Sequence, residues 1–230
     1  MRNVRILTAL GMLAAAGAAN AEISSTVTAT SDYDFRGFTQ TDEDPALQAS
    51  LDYSNDSGWY IGTWASNVDF PGYDGNIELD VYTGFSGGAE DGLGWDVGIV
   101  YYTYPNSDGS ATEDELLEFP EIYAGLSYGL FSGKLWYSND FGGSDENAMY
   151  IQGDVDVPLP ANLTLGLHAG YSFGDYWEDD DAEYFDYSVG VGYTAGKFDL
   201  NLRYVDSDID DLDGDRVIFT VSTTFPWGDD

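Results

Sequence analysis

The chain contains no cysteine in 230 residues. That excludes a disulfide framework, a thiol nucleophile and a cysteine-ligated metal. Basic residues are also scarce. Seven Lys and Arg stand against 42 Asp and Glu, for a formal charge of −35. No nucleic-acid partner is expected, because neutralising phosphates needs clustered Lys and Arg. There is one histidine, His168. Beyond the N-terminal segment, no apolar run reaches the roughly 18 residues that a membrane-spanning helix requires.

What is present begins with an export signal. Arg2 and Arg5 precede an apolar stretch from Ile6 to Ala19, and Ala19-Asn20-Ala21 has the small-x-small form of a cleavage site. Residues 1–21 are therefore expected to be a signal peptide, and residues 22–230 a single mature domain. Loss of Arg2 and Arg5 makes the mature chain more acidic still.

The mature chain reads as strand after strand. Phe185, Tyr187, Val189, Val191 and Tyr193 share one face of a run, with Asp186, Ser188, Gly190 and Gly192 on the other. Leu163, Leu165, Leu167, Ala169, Tyr171 and Phe173 alternate likewise with Thr164, Gly166, His168, Gly170 and Ser172. Period-two alternation over about ten residues marks a barrel strand with a lipid face and a lumen face. Twelve such runs are expected, near 23–31, 46–54, 58–67, 76–86, 94–104, 119–128, 132–138, 148–157, 162–173, 184–194, 197–205 and 215–225. Long acidic segments follow the odd runs and tight turns mostly follow the even ones, as with extracellular loops and periplasmic turns. The fold class expected is all-β: a single closed antiparallel transmembrane β-barrel of outer-membrane type, with about 12 strands.

Charge placement fits that reading. Every acidic residue falls in a loop, a turn, a chain end or a lumen-facing position. Lys134, Lys197, Arg203 and Arg216 also read as inward. Aromatic residues gather near strand ends, as in interfacial girdles, and Phe225 closes the last apolar face. A lipocalin-like or sandwich protein would show the opposite pattern, with a dry interior.

Specific runs carry a family resemblance. They are Ser31-Asp32-Tyr33-Asp34-Phe35-Arg36-Gly37-Phe38-Thr39-Gln40-Thr41, Pro45-Ala46-Leu47-Gln48, Gly62-Thr63-Trp64-Ala65-Ser66-Asn67-Val68, Glu78-Leu79-Asp80-Val81-Tyr82-Thr83-Gly84-Phe85 and Glu121-Ile122-Tyr123-Ala124-Gly125-Leu126. In these the chain resembles the Gcw_chp family of proteobacterial outer-membrane proteins, also described as TorF-type porin candidates. The resemblance implies an outer-membrane location and a pore, without naming a solute.

Strand parity assigns heights to the charged residues. Arg203 ends the eleventh run and Arg216 begins the twelfth, while Arg36 sits above the first. All three arginines are expected on one wall near the mouth. Glu78 and Asp80 begin the fourth run and Glu121 the sixth, which places them across the ring. Asp186 adds a carboxylate on the tenth run. A basic wall facing an acidic wall would orient dipolar solutes, and inward charges can equally pair into a stabilising plug. Asp206, Asp208, Asp210 and Asp213 alternate before Gly214 as in calcium loops, but the full loop spacing is missing. Calcium is thus a weak cofactor candidate, and a solvated acidic loop is the simpler account. His168 lies on a lumen face, whereas an outer-membrane phospholipase needs its Ser–His pair facing lipid. The expected function is passive diffusion of small polar solutes, with no enzyme activity. Its partners would be outer-membrane lipid, lipopolysaccharide and the solutes themselves. A non-conducting structural or adhesive surface barrel is the alternative.

Overall fold

Alternation becomes geometry once each strand pairs on both sides. The computed structural model describes residues 22–70, 75–89, 92–105, 118–178, 183–209 and 214–227. The segment expected to be a signal peptide lies outside them, as do Asp210 and Asp213. In chain order the strands are β1 (Glu22–Thr30), β2 (Asp34–Phe35), β3 (Phe38–Thr39), β4 (Ala46–Ser54), β5 (Trp59–Asn67), β6 (Ile77–Gly88) and β7 (Gly94–Thr103). There follow β8 (Phe119–Tyr128), β9 (Phe131–Ser138), β10 (Ala148–Leu159), β11 (Leu163–Phe173), β12 (Tyr184–Ala195), β13 (Phe198–Ser207) and β14 (Arg216–Phe225). A single helical turn, α1 (Asp175–Glu178), follows β11.

Twelve of these strands form a closed antiparallel barrel, and β2 and β3 form a separate hairpin. Closure comes from β1 against β14, from Ser25 opposite Phe225 to Thr30 opposite Thr220. A closed ring leaves no edge, so its backbone groups bond one another even where only hydrocarbon surrounds them. No helix among the described residues is long and apolar enough to cross a membrane.

The barrel is apolar outside and polar inside. Leu47, Leu51, Val81, Ile122, Val189, Leu202 and Val217 are exposed, the first and last at 65%. Tyr128, Phe131, Trp95 and Phe198 stand on the outer surface near the short-turn ends of the strands, and Tyr101, Tyr137 and Phe185 near the opposite ends. The buried side chains point inward: Tyr60, Tyr82, Tyr102, Tyr123, Trp136, Tyr150 and Tyr184, together with Glu78, Asp80, Asp96, Glu121 and Asp186.

In the half nearer the short turns these tyrosines brace the carboxylates. The Tyr60 hydroxyl is 2.7 Å from Asp96 Oδ1 and 2.6 Å from the Tyr123 hydroxyl. Lys134 Nζ lies 3.0 Å from Asp96 Oδ2, and Tyr82 donates to Asp52. The rings need room at the neighbouring strand. A Cβ on Gly84 would lie 2.4 Å from the Tyr60 hydroxyl and 2.5 Å from the Val97 carbonyl oxygen. The backbone contact cannot swing away. Gly84→Ala should therefore destabilise the barrel by about 1–3 kcal/mol, the usual cost of overpacking. The urea midpoint for loss of the heat-modifiable folded band would show it.

Two features differ from the sequence reading. Strand β13 runs on to Ser207, so Asp206 lies on the outer wall rather than in a loop. There it accepts from the hydroxyls of Tyr187 (2.7 Å) and Tyr204 (3.1 Å), which offset its charge at the rim. Lys197 sits exposed in the turn after β12, its ammonium 5.1 Å from the Trp227 ring, at the short-turn rim rather than on a lumen face.

Candidate functional site

The segment after β1 does not stay outside the barrel. Ser31 still pairs with β14: its N–H donates to the Phe219 carbonyl, and the Phe219 N–H donates to Ser31 Oγ, both at 2.9 Å. The chain then turns inward and makes the β2–β3 hairpin, with Phe35 opposite Phe38. Arg36 and Gly37 form its two-residue turn at φ 53° and 90°. Two successive positive φ values are those of a type I′ turn, and Gly takes the second without a Cβ penalty. Local bonds stiffen the hairpin. Thr39 Oγ1 donates to Asp32 Oδ1 at 2.6 Å, and the Gln40 N–H donates to the Tyr33 carbonyl at 2.7 Å.

The hairpin spans the lumen between two charged walls. Arg36 makes a bidentate pair with Glu121 of β8, with Nη1–Oε1 at 2.9 Å and Nη2–Oε2 at 2.7 Å. The two side chains are only 8% and 1% exposed. The guanidinium also lies 4.6 Å from the Phe35 ring, 5.6 Å from Trp136 and 4.5 Å from Tyr150. Tyr102 donates to Glu121 Oε2 at 2.9 Å and fixes that carboxylate. On the opposite side, Arg216 Nε is 3.1 Å from Asp32 Oδ2. Arg216 Nη2 bonds Asp34 Oδ1 and donates to the Gly37 carbonyl at 2.8 Å. Arg203 reaches Asp34 Oδ2 at 3.5 Å. Buried pairs of this kind are costly to break one-sidedly, because the remaining charge stays desolvated.

The structure places each residue singled out in the sequence. Glu78, Asp80 and Glu121 lie on the lumen side of β6 and β8 and are buried. Tyr33 donates to Glu78 Oε1 at 3.2 Å. Asp80 is 0% exposed, and neither carboxylate oxygen has a hydrogen-bond partner. Arg203 and Arg216 lie across from them. Arg36 does not join those two on one wall, as parity suggested. It enters the lumen on the hairpin and pairs with the acidic wall. Arg203 sits midway along the lengthened β13 rather than at its end. Asp186 accepts from the Tyr150 hydroxyl (3.1 and 3.0 Å) and lies 3.0 Å from His168 Nε2, while His168 Nδ1 is 2.7 Å from Asp154 Oδ1. Carboxylates thus hold both ring nitrogens.

Asp208 Oδ1 accepts from the Phe185 N–H at 2.6 Å. With Asp206 bonded to tyrosines, both carboxylates have other uses than a shared cation. Among the described residues no three His, Asp or Glu side chains are grouped to hold a metal.

Asp32, Asp34, Tyr102, Trp136 and Tyr150 were not picked out in the sequence as members of the constriction. One signal was available. Tyr33, Phe35 and Phe38 are too many aromatics for a hairpin that stays in water, and Asp32 and Asp34 alternate with them beside Arg36.

Space remains around the hairpin. Above it, Phe38, Trp177, Tyr184, Phe141 and Phe119 pack with ring centroids 4.8–6.4 Å apart. Beneath it lies a cavity of about 190 Å³, lined by Thr26, Thr28, Gln48, Ser50, Asn201 and Thr220 among others. A smaller space of about 50 Å³ lies beside Arg36, against Tyr150, Trp136, Asp186 and Arg203.

Solved structures share the architecture. The KdgM porin, in complex with disordered oligogalacturonate, superposes with a TM-score of 0.55 at 8% identity, over 91% of this chain and all of that one. The NanC porin gives a TM-score of 0.54 at 11% identity, over 89% of this chain and 99% of that one. At such identities the likeness establishes the porin barrel fold and nothing about solutes. No curated protein matches the chain. The model of a family described as "Bacterial protein of unknown function (Gcw_chp)" matches residues 14–225, and the chain therefore belongs to the Gcw_chp family.

Proposed function

We propose that the protein is an outer-membrane channel of porin type, exported by its signal peptide. It passes small polar solutes by diffusion, and the inward-folded hairpin closes its extracellular entrance in the state described. The observation that carries this reading is the cavity of about 190 Å³ beneath the hairpin, which Thr, Ser, Gln and Asp side chains help to line, inside a barrel whose outer surface is apolar. Side chains fill the interior of an eight-strand barrel, whereas a twelve-strand ring is wide enough to keep space beside the hairpin. The hairpin's anchors to the two walls, Arg36–Glu121 and Arg216–Asp34, are ion pairs, and withdrawal of the hairpin would expose both partners of each to water. The apolar belt faces lipid, and the acidic outer loops face lipopolysaccharide.

A second reading, a non-conducting structural barrel, draws on the aromatic cluster packed over the hairpin. Planar-bilayer recordings separate the two. Wild-type protein should show brief or rare openings, and Arg36→Ala should increase open time at least tenfold, because it removes the hairpin's bond to the acidic wall. Absence of conductance from both proteins, each verified as folded by the heat-modifiable gel shift, would favour the structural barrel.

A further inference from the structure

The hairpin occupies the constriction as a ligand would. It offers a guanidinium to one wall and two carboxylates to the other. Each wall is built to receive what it holds. Glu121 meets the guanidinium fork with both oxygens and is oriented by Tyr102. Tyr150 and Trp136 present ring faces at 4.5 and 5.6 Å. A desolvated carboxylate beside aromatic faces is the chemistry that recognises guanidinium and ammonium groups. Across the lumen, Arg216 and Arg203 receive carboxylates.

The acidic wall holds more carboxyl groups than the hairpin pairs. Glu78, Asp80 and Glu121 stand there against the single guanidinium of Arg36. Asp80 is fully buried with both oxygens lacking a hydrogen-bond partner. A buried carboxyl group without a partner stays neutral rather than charged, and a cationic group brought beside it would stabilise its ionised form. The space of about 50 Å³ beside Arg36 touches the aromatic faces and Arg203 alike. It shows that the hairpin does not fill the constriction completely.

We infer that the Arg36 pocket, formed by Glu121, Tyr102, Trp136 and Tyr150, is a binding station for the guanidinium or ammonium end of an amino-acid-type solute. The carboxylate of that solute goes to Arg203 and Arg216. The hairpin is the internal competitor for this station. This deepens the channel reading by naming the solute class, and it rests on that reading only for passage, not for binding. A polyanionic sugar would meet Glu78, Asp80 and Glu121 without compensation. A neutral solute would leave both walls unpaired.

Competition sets the expected numbers. The solute binds only the fraction of molecules whose hairpin has withdrawn, so its apparent affinity falls by that fraction. Removing the competing side chain restores it. Calorimetric titration of the refolded barrel with L-arginine should give a dissociation constant at least about tenfold lower for Arg36→Ala than for wild type. Arg36→Gln should behave like Arg36→Ala. Arg36→Ala combined with Glu121→Gln should lose binding, and acetate should not bind any of them. If Arg36→Ala binds L-arginine no more tightly than wild type, or if Glu121→Gln leaves binding intact, the inference is overturned. Conductance through the same variants would in that case leave the channel reading standing. Binding as expected in barrels that never conduct would sink the channel reading and keep the station.

Discussion

A disulfide that ties the hairpin to the wall should silence the channel, and reduction should restore it. Gly37 lies against β12 and β13. A Cβ added there would be 3.1 Å from Ser207 Cβ. Disulfides hold their Cβ atoms about 3.5–4.5 Å apart, so a Gly37→Cys, Ser207→Cys pair needs a shift of only a few tenths of an ångström. The positive φ of residue 37 adds strain of about 1–2 kcal/mol with a side chain present. The chain has no native cysteine to compete for the new thiols. Each protein serves as its own control, because the oxidised and reduced forms differ by one bond. Expected are near-complete loss of bilayer conductance under oxidant and its return with a reducing agent. Equal conductance in both forms would mean that solutes do not pass the hairpin at all. The proposed closure would then be wrong even though the barrel conducts.

The largest expected stability effect lies on the other face of the wall. Val189 is exposed midway along β12, opposite Leu167 on one neighbour and Tyr204 on the other. Val189→Arg puts a charge against hydrocarbon near the midplane, at a cost of about 2–4 kcal/mol. That corresponds to roughly thirtyfold to a thousandfold in the folding equilibrium. Ser188→Arg, one residue away, points into the cavity of about 190 Å³, which Asp154 and Asp156 also line. It should fold nearly as well as wild type. Refolding into lipid vesicles, read as the fraction of heat-modifiable protein, compares them. Equal loss for both variants would contradict the assignment of faces. The two residues are neighbours in the chain and differ only in the solvent they meet.

Much of this was legible in the residues, for a local reason. The solvent on each side of a barrel strand imposes a period of two, and that period is written in consecutive residues such as Phe185 to Tyr193. Acidic loops and tight turns alternate for an equally local reason, because only one end of each hairpin is short. The number of barrel strands and the two faces of most of them therefore follow from the sequence, while the exact ends, as at Asp206 and Lys197, do not. Glu78, Asp80, Glu121, Arg203 and Arg216 acquire their lumen-facing positions from the same parity. The path of the segment between β1 and β4 does not follow from any local rule. Arg36 meets Glu121 across 85 residues, and Arg216 meets Asp34 across 182. Such partners become neighbours only when β14 closes on β1 and the lumen acquires a fixed width. The sequence by itself determined a barrel with a charged interior. Tertiary structure decided that the hairpin turns inward and stands between the charged walls, because only a closed ring gives its arginine and its two aspartates opposite walls to bind.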